Sequence, residues 1–237
     1  FGGGITNILS IATGFQRTDM GMGSMFTGKA DAVPVFLRNE LAYDENRNIA
    51  FRIGLDSDLW WSKWKVRAPS SGGGLEGQPM DPLTANTEIF ETSGKTVTVR
   101  PAVYSELEIR PVEKWKLIGG FRLDYFPLVE KIGLDPRFVT KYKLFKKTEL
   151  KAGIGMFHQS PGDIQSDKDF GNPDLALINA VHYTVGVDQD LYKELTLGIE
   201  GFFKRMRNLI SSDPETIYNN EGSGKVWGLE FLLKHAD

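Results

Sequence analysis

Apolar and polar residues alternate along most of this chain, which is the pattern of a β-strand with two different faces. In the segment VHYTVGVDQ, for example, Val181, Tyr183 and Val185 alternate with His182 and Thr184. The same rhythm recurs in PVFLRNELAYD, IAFRIGLDSD, TVTVRPAVYSELEIR, KWKLIGGFRLDYF, FVTKYKL, ELKAGIGMF, LTLGIEGFFK and KVWGLEFLLK. None of these segments has a helical period, so the pattern predicts an all-β chain of about ten strands.

The predicted strands are long, and they are joined by connections of two lengths. Most strands run for about 9–11 residues, as a tilted bilayer-spanning strand requires, whereas globular strands average about 5–6 residues. Tight links are predicted at 44–48, 110–114, 145–148 and 190–194, and long links at 15–32, 57–95, 126–135, 158–179 and 206–223. Short periplasmic turns that alternate with long extracellular loops are typical of outer-membrane barrels. We therefore predict an antiparallel up-and-down segment of a transmembrane β-barrel, with its apolar residues toward lipid.

Two other interpretations remain open on the pattern alone. A half-buried soluble sheet alternates in the same way, so a soluble all-β binding module, of the carbohydrate-binding type, is the main alternative. A surface adhesion or secretion barrel would also show these strands. No composition shift marks a domain boundary, and we treat residues 1–237 as one domain.

Composition and charge exclude several other classes of protein. The formal net charge of −3 argues against a nucleic-acid partner, because such proteins concentrate Lys and Arg on one face. The chain has no cysteine, so neither a disulfide framework nor a thiolate metal site is available. No segment approaches 18 consecutive apolar residues, which excludes a transmembrane helix from the prediction.

Motifs of nucleotide, metal and catalytic chemistry are weak or absent. The segment GSMFTGKA (23–30) resembles a phosphate-binding loop, but Ala30 has no hydroxyl for magnesium and Pro34 opens a strand. The acidic segment GDIQSDKDFGNPD (162–174) lacks the spacing of a calcium loop. Glu106, Glu108 and His182 lie on polar strand faces, which favours a lumen-lining role over catalysis. We therefore predict no catalytic, cofactor or metal site and no enzymatic activity.

The segment WWSKWKVR contains three tryptophans at the predicted entry to the longest loop. Trp60, Trp61 and Trp64 could belong to the aromatic girdle at the membrane surface, with the neighbouring basic residues meeting anionic headgroups. A platform that stacks against a sugar or another ligand is a second interpretation, and ordinary loop packing is a third.

The C-terminal part carries an ordered set of motifs: FGNPDL, YTVGVDQDL, LGIEGFFKRMRNLI and YNNEGSGKVWGLEFLL. Together with AVYSELEIRPVEKWKLIGGFRLDYF and DPRFVTKYKLFKKTELKAGIGMFHQSP, it resembles the barrel domain of TonB-dependent outer-membrane receptors. The resemblance covers residues 95–236 well and the first 90 residues loosely. It implies a barrel of about 22 strands, of which this chain would be a central slice without the plug domain and the terminal strands.

The resemblance also implies a function. Such receptors, in the outer membrane of Gram-negative bacteria, import a scarce nutrient such as a ferric siderophore, cobalamin or an oligosaccharide. The implied partners are an energy-coupling TonB-type protein, reached through the plug, the nutrient itself, and outer-membrane lipid or lipopolysaccharide. Ligand contacts are expected from three loop regions, 60–87, 157–170 and 208–220, and the candidate residues are Trp60, Trp61, Trp64, Phe157, His158, Phe170, Asn208 and Tyr218.

Overall fold

The computed structural model describes residues 4–22, 26–46, 48–69, 89–162, 165–166, 171–192, 194–213 and 217–235. These residues form one sheet of eleven strands. The strands are β1 (Ile5–Thr13), β2 (Gln16–Met22), β3 (Phe26–Asn46), β4 (Ile49–Pro69), β5 (Ile89–Val112), β6 (Trp115–Phe126), β7 (Lys131–Phe145), β8 (Thr148–Gln159), β9 (Ile178–Tyr192), β10 (Leu195–Asp213) and β11 (Ile217–His235). No helix in this part of the chain is long and apolar enough to cross a membrane.

Strand order in the sheet follows the order in the sequence. Hydrogen-bonded neighbours run from β1 through β3 and then consecutively to β11, while β2 pairs with β3 beside this path. The ladders from β5 to β11 are antiparallel and nearly continuous, with irregularities at the strand ends and in the β10–β11 ladder. The predicted antiparallel up-and-down architecture is confirmed.

The chain divides into two compact units. The larger unit contains Phe1–Ile8, Asn39–Leu55 and Ala102–Asp237, and the smaller unit contains Leu9–Arg38 and Asp56–Pro101. The three longest strands each have residues in both units, with 21 residues in β3, 21 in β4 and 24 in β5. These lengths are about twice the 9–11 residues that a bilayer requires, so these strands continue beyond its thickness.

Exposure of the strand residues is the reverse of that in a soluble protein. Leu134 is 50% exposed and Val185 is 66% exposed. On the opposite face, the side chain of Asp135 is only 13% exposed and that of Glu108 only 12%. Buried charge beside exposed hydrophobic surface is stable when the apolar face meets hydrocarbon instead of water. A soluble sandwich would cover that face with a second sheet, whereas the described strands form a single one.

Several predicted links are wrong in their length. The link expected at 126–135 is a four-residue turn, because β6 ends at Phe126 and β7 begins at Lys131. The links expected at 15–32 and 206–223 are largely strand, since β2, β3, β10 and β11 extend into them. Much of 57–95 is also strand, and its central residues, 70–88, lie outside the described part. Strand segments beyond the bilayer have water on both faces, so their sequences lose the alternation on which the prediction relied.

Candidate functional site

A chain of ion pairs crosses the polar face of the larger unit. Lys151 on β8 places its Nζ 3.2 Å from Oδ1 of Asp188 on β9 and 3.3 Å from Oε2 of Glu200 on β10. One ammonium group therefore joins three neighbouring strands. Gly186 lies directly opposite Lys151, and a Cβ there would approach the lysine Cε to 2.7 Å and the carbonyl oxygen of Ile199 to 2.8 Å. This position accepts glycine only.

A second group of charges lies on the same face toward β4. Glu106 accepts from Arg52 at 3.2 Å and from Arg137 at 3.3 Å, so it joins β4, β5 and β7. Next to it, the hydroxyl of Tyr104 donates to Oε2 of Glu40 at 2.6 Å. The tyrosine ring covers Gly54 so closely that no Cβ would fit there, which is the arrangement in which an aromatic ring shields a strand glycine. Glu106 therefore has a structural role as a bridge between strands.

Replacing Lys151 by methionine should destabilise the folded protein by about 1–2 kcal/mol, between the values for exposed and for buried ion pairs. The methionine keeps most of the side-chain volume but leaves two neighbouring carboxylates without their shared cation. Reversible urea unfolding in lipid vesicles, followed by tryptophan fluorescence, would measure the loss. Lys147→Met, at the exposed β7–β8 turn, should change the stability by less than about 0.5 kcal/mol. An equal effect of the two substitutions would contradict the bridging role of Lys151.

The three tryptophans of the sequence motif lie within β4, not in a loop. Alternation places Trp60 and Trp64 on the polar face and Trp61, which is 59% exposed, on the apolar face. Trp60 meets Phe36 edge-on, with ring centroids 6.0 Å apart, and Trp64 covers Gly94. The girdle interpretation therefore needs correction for Trp60 and Trp64, and it remains a prediction for Trp61.

A cavity of about 340 Å³ lies in the smaller unit beside Phe36. Its lining residues come from β1, β3 and β4, and they are Ser10, Ala12, Phe36, Leu37, Arg38, Asp56 and Asp58. Inside it, Arg38 forms a two-pronged pair with Asp56, with Nε–Oδ1 at 2.7 Å and Nη2–Oδ2 at 3.0 Å. Asp58 forms no hydrogen bond or ion pair with another described residue. The cavity therefore carries one matched ion pair and one additional carboxylate.

Two exposed ion pairs stabilise the outer parts of the smaller unit. Nε of Arg17 donates to Oδ1 of Asp31 at 2.7 Å, and this hydrogen bond lowers the pKa of the Asp31 carboxyl. The hydrogen bond from Lys65 lowers the pKa of Glu91 in the same way. Because the pKa of each carboxyl is lowered, both ion pairs persist to a lower pH than they would with an unshifted carboxyl.

Three asparagines hold the segment before β9 against the β10–β11 hairpin, and we call them the asparagine clamp (Asn172, Asn208 and Asn220). Nδ2 of Asn172 donates to the carbonyl oxygen of Tyr218 at 2.8 Å. Nδ2 of Asn208 donates to the carbonyl oxygen of Leu177 at 3.1 Å. Leu177 is buried, so the hydrogen bond fixes a packed residue.

Asn220 makes the most contacts in the clamp. Its Oδ1 accepts from the backbone N–H of Ala176 at 2.6 Å, and its Nδ2 donates to the carbonyl oxygens of Ala176 at 3.2 Å and of Asn208 at 2.9 Å. Asn208 itself has a positive φ of 56°, at an irregularity in the β10–β11 ladder. Asparagine is one of the few residues other than glycine that tolerates this backbone conformation. The predicted loop residues Asn208 and Tyr218 are therefore strand residues in a structural arrangement.

The remaining candidates lie on β8 or outside the described residues. Nδ1 of His158 lies 2.6 Å from Oδ1 of Asp135, a carboxylate oxygen that accepts a hydrogen bond when Nδ1 carries the proton. The Phe157 ring lies 4.7 Å from the ring of His182. Both contacts join neighbouring strands. Phe170 lies outside the described residues, as do Asp163, Asp167 and Asp169 of the acidic segment. Among the described residues, no group of three His, Asp or Glu side chains is placed to hold a metal ion.

The comparison with protein families decides the classification. A family model described as "TonB dependent receptor-like, beta-barrel" matches residues 6–236. The chain belongs to the TonB-dependent receptor β-barrel family. The match covers nearly the whole chain, including the first 90 residues, where the motifs resembled the family only loosely. No curated protein sequence matches the chain.

Solved structures of this family have the same fold. The chain is similar to a mutant of the ferric enterobactin receptor of Pseudomonas aeruginosa, with a TM-score of 0.64 at 19% identity, over 86% of this chain and 34% of that one. It is also similar to the siderophore receptor PirA of the same organism, with a TM-score of 0.63, 16% identity and coverages of 97% and 47%. For the copper transporter OprC the TM-score is 0.65 at 14% identity, with coverages of 96% and 40%. The chain thus spans less than half the length of each of these proteins.

Sequence reasoning missed the cavity residues and two of the three clamp asparagines. Phe36 and Asp58 lie in strands whose neighbours were unknown, so nothing in the sequence placed them together. Asn172 and Asn220 are in the segments FGNPDL and YNNEG, which carried the resemblance, but the motifs gave no indication of hydrogen bonds between them. The asparagines of these two segments were the one signal that the sequence itself contained.

Proposed function

We propose that this chain forms part of the barrel wall of an outer-membrane receptor in a Gram-negative bacterium. The receptor would import a scarce nutrient, such as a ferric siderophore, cobalamin or an oligosaccharide, with energy supplied through a TonB-type partner. The observation that carries the proposal is the reversed exposure, with Val185 open on the apolar face and Glu108 shielded on the polar one. Only a wall between lipid and a polar interior satisfies both faces.

The role of the chain in import follows from its polar face. Bridging charges such as Lys151 and Glu106 fix neighbouring strands, so the wall stays rigid while a plug moves inside it. The ligand would be captured on the outer side, and the energy-coupling partner would act on the plug from the periplasmic side. Membership of the family supports these separate roles of the wall, the plug and the coupling partner. The ligands named for the similar structures support a nutrient as the transported molecule.

Uptake by whole cells tests the proposal. Cells with and without the full-length gene would be given labelled ferric siderophores, cobalamin and neutral oligosaccharides, each in the presence and absence of a working TonB-type protein. We expect uptake of one of these classes to require both the gene and the coupling protein. Uptake that needs the gene but proceeds without coupling would identify a passive channel, and gene-independent uptake of all three classes would reject the proposal.

A further inference from the structure

Three basic residues lie on the apolar face of the β10–β11 hairpin, and we call them the basic cluster (Arg205, Arg207 and Lys225). Alternation along β10 places Arg205 and Arg207 on the same face as Phe203, and Lys225 shares a face of β11 with Trp227. All three residues of the cluster are exposed. Charges on the face that meets lipid require a separate explanation, because that face is apolar along the rest of the hairpin.

The basic cluster has no counter-charge beside it. The ladder places Arg205 directly opposite Lys225, a position in which two like charges repel and destabilise the sheet. On the other side of β10, the residues opposite Arg205 and Arg207 are Val181 and Asn179, and neither is charged. Within the described ranges, no ion pair joins a residue of the cluster to a carboxylate. An anion from outside the described chain would remove the repulsion.

The position of the cluster along β10 matches the end of the apolar band. The strand begins at Leu195 beside the tight turn, and Arg205 follows ten residues later. At about 3.3 Å per residue and a tilt of about 40°, this distance corresponds to a height of about 25 Å, which is the height of the apolar band of an outer-membrane barrel. The cluster therefore lies at the level of the lipid headgroups, on the side opposite the tight turns.

A row of aromatic side chains supports this level independently. The ring centroids of Tyr183 and Phe203 are 6.1 Å apart, and Trp227, which is 79% exposed, lies directly opposite Phe203. The three rings come from three neighbouring strands and lie next to the basic cluster on the side of the apolar band. Aromatic girdles occupy the boundary between hydrocarbon and headgroups, so the cluster lies just beyond that boundary.

The chemistry of the cluster selects phosphate among the groups of a membrane lipid. A guanidinium presents a planar fork of donors that matches two phosphate oxygens, and an ammonium adds a compact positive charge. The side-chain amide of Asn179, opposite Arg207, adds a neutral donor. In the outer leaflet of a Gram-negative outer membrane, the phosphate groups at this depth belong to the lipid A part of lipopolysaccharide, whereas phospholipids occupy the inner leaflet.

We propose that Arg205, Arg207 and Lys225 form a binding site for the lipid A phosphates of lipopolysaccharide. One phosphate would lie between Arg205 and Lys225 and neutralise their repulsion, while the acyl chains would pack along the aromatic row below. The proposal rests on the proposed function, since it requires the barrel wall to lie in the outer membrane with its tight turns in the periplasm.

Lipid binding by the purified full-length protein tests the site. Native mass spectrometry in mild detergent would measure the retention of phosphorylated lipid A, of lipid A without its phosphates, and of phosphatidylglycerol. We expect the phosphorylated form to be retained best. The double variant Arg205→Gln/Lys225→Gln should weaken its binding about tenfold or more, because it removes two charge-assisted contacts to phosphate.

A matched double variant controls for the loss of charge alone. Lys146→Gln/Lys147→Gln removes two exposed positive charges at the β7–β8 turn, on the opposite side of the membrane, and should retain lipid A as the unaltered protein does. The charge-preserving variant Arg205→Lys/Lys225→Arg should also keep most of the binding.

Stability in two kinds of vesicle separates lipid binding from misfolding. In phosphatidylcholine alone, the urea midpoint of Arg205→Gln/Lys225→Gln should equal or exceed that of the unaltered protein, because the like-charge repulsion is gone. Addition of lipid A should raise the midpoint of the unaltered protein and leave that of the double variant nearly unchanged. A lower midpoint of the double variant in both kinds of vesicle would assign Arg205 and Lys225 a structural role and overturn the proposal.

The other outcomes separate the lipid site from the import function. The site is overturned if lipid A is not retained, if its form without phosphates or phosphatidylglycerol is retained equally well, or if the two double variants weaken binding equally. If lipid A is lost in these ways while uptake still requires the gene and the coupling protein, only the lipid site fails. If binding depends on Arg205 and Lys225 but uptake proceeds without coupling, the lipid site stands and the proposed import function fails.

Discussion

Replacing Val185 by arginine should lower the free energy of unfolding in a lipid bilayer by about 2–4 kcal/mol. Val185 is 66% exposed and lies near the middle of β9, on the apolar face. An arginine there would place its guanidinium in hydrocarbon, where no hydrogen-bond partner is available. On the exposed surface of a soluble sheet the same change would fall within about 0.5 kcal/mol. Reversible urea unfolding of the full-length gene product in vesicles would distinguish a lipid-facing Val185 from one on the surface of a soluble sheet.

Tyr192→Arg on the same strand provides the control for depth. Tyr192 is 73% exposed and ends β9 beside the tight turn, where a charge reaches the membrane surface. The cost there should be below about 1 kcal/mol, because the penalty for arginine falls toward the interface. Equal costs at the two positions, or no cost at Val185, would mean that this face does not lie in lipid.

Replacing Asn220 by alanine should release the segment before β9, with a local loss of about 2–3 kcal/mol. The change removes three hydrogen bonds and leaves the N–H of Ala176 and the carbonyl oxygens of Ala176 and Asn208 without partners. Hydrogen exchange of the Ala176 amide in the full-length protein should then become about thirtyfold faster or more.

Two further variants test whether the clamp acts through these hydrogen bonds. Asn220→Asp keeps the acceptor for the Ala176 amide but removes both donors, so its effect should be intermediate. Asn39→Ala breaks an exposed amide pair with Asn7 elsewhere in the same unit and should leave the Ala176 exchange unchanged. If Asn220→Ala exchanges no faster than Asn39→Ala, the segment is held by packing of Leu175 and Leu177 instead.

The sequence predicted the strand faces well wherever the two faces meet different surroundings. On β9, the alternation of Tyr183 with Thr184 and of Val185 with Gly186 indicated which residues face lipid, and the exposures agree with it. The pattern failed for β2, where Arg17 and Asp19 alternate with Thr18 and Met20. Both faces are in water there, so no hydrophobic contrast marked a strand.

The sequence could not predict which side chains contact each other across neighbouring strands, and the reason is physical. That Lys151 lies between Asp188 and Glu200 depends on the register of two ladders, and the period of two allows any even shift. The same uncertainty hid the cavity, because Phe36 and Asp58 meet only when the register of β3 and β4 is known. Trp60 and Trp61 show the converse, since alternation alone separates them onto opposite faces.

Gly186 affects which register β9 adopts when the barrel wall assembles. A slip of β9 by one residue would move Asp188 toward the hydrocarbon, which the bilayer itself penalises heavily. A slip by two residues keeps every side chain on its proper face, so the bilayer does not penalise this register error. Such a slip would bring Thr184 or Asp188 opposite Lys151, where the space between the lysine stem and the Ile199 carbonyl has no room for a Cβ. The glycine therefore selects the correct strand register during insertion, where the bilayer does not discriminate between registers two residues apart.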